Sequence, residues 1–142
     1  MASGLKSLIK LHKHELDEKR RQLALFYDEQ AALRQQQSFI EIAFEKEKDA
    51  IAKSQEISYT FVNYAEEIKR KLKENAERQV EMQLVIDIAT DDMMLTFSEL
   101  KKYEMTQAAR DQREEDERTS KENKELDDIA IEGFRRKEEE DK

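Results

Sequence analysis

From Leu5 to Glu132 the chain contains neither glycine nor proline; its only glycines are Gly4 and Gly133. Those two residue types are the strongest local interrupters of regular structure. A run of this length without them, with 42% of residues charged, predicts an almost entirely helical protein. Hydrophobic residues make up 37% of the 142 and mean hydropathy is −0.99. That is too little apolar material for a core of ordinary thickness. It is enough for one narrow seam between helices.

One stretch departs from the charged pattern. Ser54-Gln55-Glu56-Ile57-Ser58-Tyr59-Thr60-Phe61-Val62-Asn63-Tyr64 carries a single charge. It is rich in β-branched, aromatic and hydroxyl side chains, which lose rotamer freedom in a helix or compete for its backbone hydrogen bonds. The chain is expected to bend there, across 54–63. Asn63-Tyr64-Ala65-Glu66 has the form of a capping box that would start the returning helix.

Before the bend, a helix is expected over about 5–53. Its seam reads Leu5, Ile9, His12, Leu16, Lys19, Leu23, Phe26, Gln30, Leu33, Gln37, Ile40, Phe44, Glu47 and Ile51. The 3-4 spacing places these residues in one stripe. Long polar members can reach past a two-helix seam to water. After the bend, a helix over about 64–106 carries a second stripe: Phe61, Ala65, Ile68, Leu72, Asn75, Gln79, Met82, Ile86, Ala89, Met93, Thr96, Leu100 and Tyr103. Met82, Met93, Met94 and Met105 are expected on or near that seam as flexible filler. Two such stripes are best buried against each other. The expected fold is a single all-α domain, a long antiparallel two-helix coiled-coil hairpin with residue i opposite roughly 117 − i.

Beyond Tyr103 the seam positions turn polar: Gln107, Arg110, Glu114, Glu117, Lys121 and Lys124. Residues 107–142 therefore form a charged overhang. It stays helical through pairs such as Glu114–Arg118, or it frays. Hydrophobicity returns at Leu126, Ile129, Ala130, Ile131 and Phe134. This apolar face has no partner in the hairpin register, which points to an external partner; a chain folding back on itself is the alternative. Segment 5–24 has a net charge of +3 and segment 107–142 a net charge of −5.

Charge and composition narrow the function. A net charge of −8 and a pI near 5.0 disfavour nucleic acid and anionic lipid as partners. With no cysteine, disulfides and Cys-based metal or redox sites are excluded. Met1-Ala2-Ser3-Gly4-Leu5-Lys6 lacks an apolar signal core, and apolar runs such as Leu84-Val85-Ile86 are far too short to span a bilayer. A cytoplasmic protein is expected. No phosphate-binding glycine loop and no nucleophile paired with a base are present, so no enzymatic activity and no cofactor are expected. His14 and Glu18, at i,i+4, would make only a weak metal site. Lys69-Arg70-Lys71-Leu72-Lys73 reads as a solvated run. Residues 82–97 are apolar over more than one face, which makes them a second candidate contact surface or a place of self-association.

The motifs Leu5-Lys6-Ser7-Leu8-Ile9-Lys10-Leu11-His12-Lys13 and Leu16-Asp17-Glu18-Lys19-Arg20-Arg21-Gln22-Leu23 resemble the flagellar export protein FliJ family, as does the tail Glu125-Leu126-Asp127-Asp128-Ile129-Ala130 followed by Phe134. The resemblance implies a stalk-like coiled coil, similar to the central stalk subunit of rotary ATPases, seated in the hexameric flagellar export ATPase. It implies contact with the cytoplasmic domain of the export gate and with export chaperones, and a location at the inner face of the cell membrane held through the export apparatus. The matching positions are Leu5, Leu8, Leu11, Lys13, Asp17, Arg20, Leu126, Ile129 and Phe134. They imply the contact with the ATPase ring, and they imply a docking role for Lys19-Arg20-Arg21. The equivalent stalk of a virulence-type secretion system, a straight coiled-coil scaffold that dimerises through parallel helices, and an export chaperone for unfolded substrate are the alternative readings.

Overall fold

A computed structural model describes residues 2–54 and 59–141. The described chain is helical in two long elements, α1 (Ala2–Ser54) and α2 (Tyr59–Glu140), which pack against each other. Ser54 closes α1, its hydroxyl donating to the Ile51 carbonyl at 3.0 Å. Lys53 in the last turn complements the negative end of the helix dipole.

The expected bend falls partly on residues 55–58, which lie outside the described residues. Tyr59 to Asn63 are already helical, so α2 starts ahead of the Asn63–Glu66 capping box and both of its polar residues sit inside the helix. The aromatic side chains explain the early start. Phe61 and Tyr64 turn toward Phe44 of α1, with ring centroids 6.3 and 6.2 Å away, and Lys48 Nζ lies 4.5 Å from the Phe44 ring. Residues unfavourable to a free helix become favourable when their rings are packed.

The C-terminal extension is not a separate helix. α2 continues unbroken through 107 to Glu140. Pairs one turn apart support the backbone there: Arg118 with Glu115, Gln112 with Asp116 and Arg135 with Glu132. Arg118 thus turns to Glu115 and not to the expected Glu114.

Contacts divide the chain into two units. One is Lys13–Phe97; the other joins the N-terminal residues through His12 to Ser98 and onward. In the Lys13–Phe97 unit, partner numbers on α2 fall as those on α1 rise. Lys19 reaches Asp92 and Thr96, Gln30 reaches Gln83, Gln37 reaches Gln79, and Phe44 reaches Phe61. The expected register would have placed position 19 opposite 98, 30 opposite 87 and 37 opposite 80. That register also sets position 44 opposite 73, so the observed partners lie from one to twelve residues earlier on α2.

The core is one residue deep. Leu16, Ile68 and Ile86 are buried in this unit, with Gln30, Asn75 and Thr96 beside them. Every expected seam residue of α2 is buried or half-buried, and on α1 only Glu47 is exposed. Met82 and Met93 are half-buried, but Met94 and Met105 point outward and fill nothing.

The polar seam residues are paired across the two helices in two sets. Asn75 Nδ2 donates to the Leu33 carbonyl at 2.9 Å and to Gln36 Oε1 at 3.2 Å. Gln79 Nε2 donates to Asn75 Oδ1 at 2.6 Å and to Gln37 Oε1 at 2.7 Å. Gln30 Nε2 donates to Gln83 Oε1 at 2.8 Å. Buried amides are tolerated in an apolar seam only when paired in this way.

Candidate functional site

The nine residues singled out by the terminal motifs fall in both units. Leu5, Leu8 and Leu11, together with Leu126, Ile129 and Phe134, belong to the unit that holds the chain ends; Lys13, Asp17 and Arg20 belong to the other.

In the first of these, Leu5 and Leu8 are half-buried while Leu11 is half-exposed. His12 anchors α1 there. Its Nδ1 lies 3.0 Å from the Leu8 carbonyl and its Nε2 3.4 Å from Glu99. The Tyr103 ring meets its edge with centroids 4.9 Å apart, and Leu100 is buried in the same unit. A histidine at a seam position is thus accommodated by polar partners at both ring nitrogens and an aromatic wall.

Further along α2, residues 108–131 are all exposed. Leu126, Ile129 and Phe134 are 62, 68 and 67% exposed. Their spacing puts them on one side of the helix. The cations near them are engaged locally, since Arg135 and Arg136 both reach Glu132. The result is an apolar face framed by charge that no other described residue covers.

In the Lys13–Phe97 unit, Asp17 and Arg20 are brought together as an i,i+3 pair at 3.9 Å, and Lys13 is exposed. The neighbouring cations are also engaged. Lys19 Nζ is 3.0 Å from Asp92 and donates to Thr96 Oγ1 at 2.6 Å, and Arg21 pairs with Glu18 at 3.0 Å. The first basic run is therefore a set of ion pairs more than a field of bare positive charge. In the second run, Arg70 binds Glu67 and reaches Glu74 at 2.6 Å, while Leu72 is half-buried. The hydrogen bond from Arg70 holds the Glu67 carboxyl below its ordinary value, and Arg118 does the same to Glu115.

Among the described residues no cluster of three or more His, Asp or Glu is placed to hold a metal ion, and no helix is long and apolar enough to cross a membrane. Composition of the C-terminal segment pointed to the apolar face on α2. Its flanking ion pairs were not legible, because the choice between i,i+3 and i,i+4 partners depends on rotamers. No family model, curated protein or solved structure matches the chain.

Proposed function

We propose that the chain is a non-enzymatic stalk and coupling component of the flagellar type III export apparatus. In this reading it forms an antiparallel two-helix coiled-coil hairpin whose α2 overhangs α1. It sits in the hexameric export ATPase and engages the cytoplasmic domain of the export gate and export chaperones. It works in the cytoplasm, peripheral to the membrane.

The observation that carries the reading is the uncovered apolar face of Leu126, Ile129 and Phe134 at the end of a helix that buries nothing else nearby. These are also residues of the FliJ-like tail motif. An apolar face of this kind, rimmed by charge, is what a protein partner covers. Two packed helices are roughly 20 Å across, a width suited to the middle of a ring. One asymmetric element inside six equivalent subunits contacts them unequally, so it biases their states in turn. Such coupling requires contact energies that differ between those states.

The test is co-purification with a hexameric export ATPase, followed by ATP turnover as the chain is titrated in. Turnover should rise and saturate as the ring fills. No association, or turnover that stays flat, overturns the reading.

A further inference from the structure

The middle of α2 is apolar on two opposite sides. One side is the seam, with Met82, Ile86, Ala89 and Met93 turned toward α1. The other carries Val80, Leu84, Ile88, Met94 and Leu95, all between 54 and 69% exposed. Val80–Leu84 and Leu84–Ile88 are i,i+4 neighbours, so these side chains form one outward stripe. A surface helix of a two-helix unit requires only one apolar face. The second therefore calls for a separate explanation.

Within the stretch of α2 that carries the stripe the charge is of one sign. Residues 79–97 contain no Lys, Arg or His and four acids, Glu81, Asp87, Asp91 and Asp92. Asp92 is occupied by Lys19. Asp87 and Asp91 stand among the stripe residues, one turn before Asp91 and Leu95 respectively. On its flank the stripe continues through Val85 into a groove of about 520 Å³ between α1 and α2. Ala32, Leu33 and Met82 line this groove with Val85, and Glu29 and Glu81 stand at its sides; Arg78 is its one cation.

We infer that the outward stripe of α2 at Val80, Leu84, Ile88 and Leu95, with its flanking groove, docks a cationic amphipathic helix of another protein. Leucine-like side chains of that helix cover the stripe, and its lysines or arginines meet Asp87, Asp91 and Glu81. Helix-in-groove recognition uses this combination of apolar anchors at helical spacing and opposite charge at the edges. Charge decides among the possible occupants. A second copy related by a two-fold axis through the middle of the stripe would bring Asp87 and Asp91 up against the same carboxylates. Nucleic acid and anionic lipid are repelled by the same acids. This surface is distinct from the terminal residues of the stalk reading and does not depend on it.

The probe is a labelled synthetic peptide of three heptads, with leucine on one face and lysine on the other, and a second peptide in which every lysine is glutamate. Binding to the full chain is read by fluorescence anisotropy. The lysine peptide should bind, more weakly as salt rises, and the glutamate peptide should not. Leu84→Ser with Ile88→Ser should weaken binding at least about tenfold, and Asp87→Lys with Asp91→Lys should do the same. Helicity by circular dichroism should stay at the parent level in both, because all four side chains are exposed. Hydrogen exchange should slow in residues 80–95 when the peptide binds. Equal binding of the two peptides, or parent-level binding by both double variants, overturns the inference. So does a dimer of the free chain in sedimentation that Leu84→Ser with Ile88→Ser dissolves, since the stripe's occupant is then a second copy.

Discussion

The side-chain amide of Asn75 crosses from α2 to donate to the backbone carbonyl of Leu33 on α1, at 2.9 Å, from a position only 3% exposed. The carbonyl cannot move without its helix, so this bond ties one point on α2 to one point on α1. A purely apolar seam lacks such a mark, because leucine and isoleucine pack nearly as well one turn along. A single buried amide at a seam position is a known way for helices to specify register at some cost in stability.

Asn75→Ala removes that tie and its bonds to Gln36 and Gln79. It should lower stability by about 1–3 kcal/mol, read from urea unfolding. Asn75→Leu fills the space with apolar atoms. It should keep or raise the unfolding midpoint while a disulfide-trapping experiment finds more than one register between α1 and α2. A single register in the leucine variant counts against Asn75 as the determinant.

Two isoleucines one half-turn apart should respond in opposite ways. Ile86 is 2% exposed and Ile88 is 69% exposed. Ile86→Ala opens a hole in a core one residue deep and should cost about 2–5 kcal/mol. Ile88→Ala should stay within about 0.5 kcal/mol of the parent. Thermal or urea unfolding of the two variants checks the contrast.

The hydrogen bond from Arg70, with its positive charge, stabilises the Glu67 carboxylate and lowers its pKa. The folded value lies below the unfolded one. The pair's contribution is therefore present at neutral pH and fades as pH falls below the ordinary carboxylate range. Both groups are exposed, so the effect on stability is small and weakens with salt. A carbon-detected NMR titration should show Glu67 titrating below the ordinary carboxylate value, and Arg70→Gln should bring its midpoint up.

In the stalk reading, Phe134→Ala should reduce stimulation of the export ATPase while leaving helicity unchanged, because Phe134 is 67% exposed. Charge reversal at Lys13 and Arg20 should have the same effect. Stimulation at the parent level in both variants removes the chain ends as the docking site.

Both seams were legible in the sequence. The alternation of three and four residues from Leu16 to Ile51, and from Phe61 to Thr96, reproduces the buried stripes almost position by position. The reason is that helical geometry is local. With no glycine or proline to interrupt it, residue spacing alone dictates which side chains share a face. The polar seam members Gln30, Asn75 and Thr96 were placed on the correct face by the same rule.

What tertiary structure decided is which residues meet. The start of α2 at Tyr59 depends on Phe61 and Tyr64 finding Phe44 across the seam. The partners of Lys19, Gln30 and Gln37 depend on how α1 and α2 are set against each other, which spacing along one helix does not fix. The outward stripe of α2 carries the same residue types as the inward one. Composition marked the segment as apolar on more than one face. Only the position of α1 made Ile86 core and Ile88 surface, because burial is a relation between two helices while periodicity belongs to one.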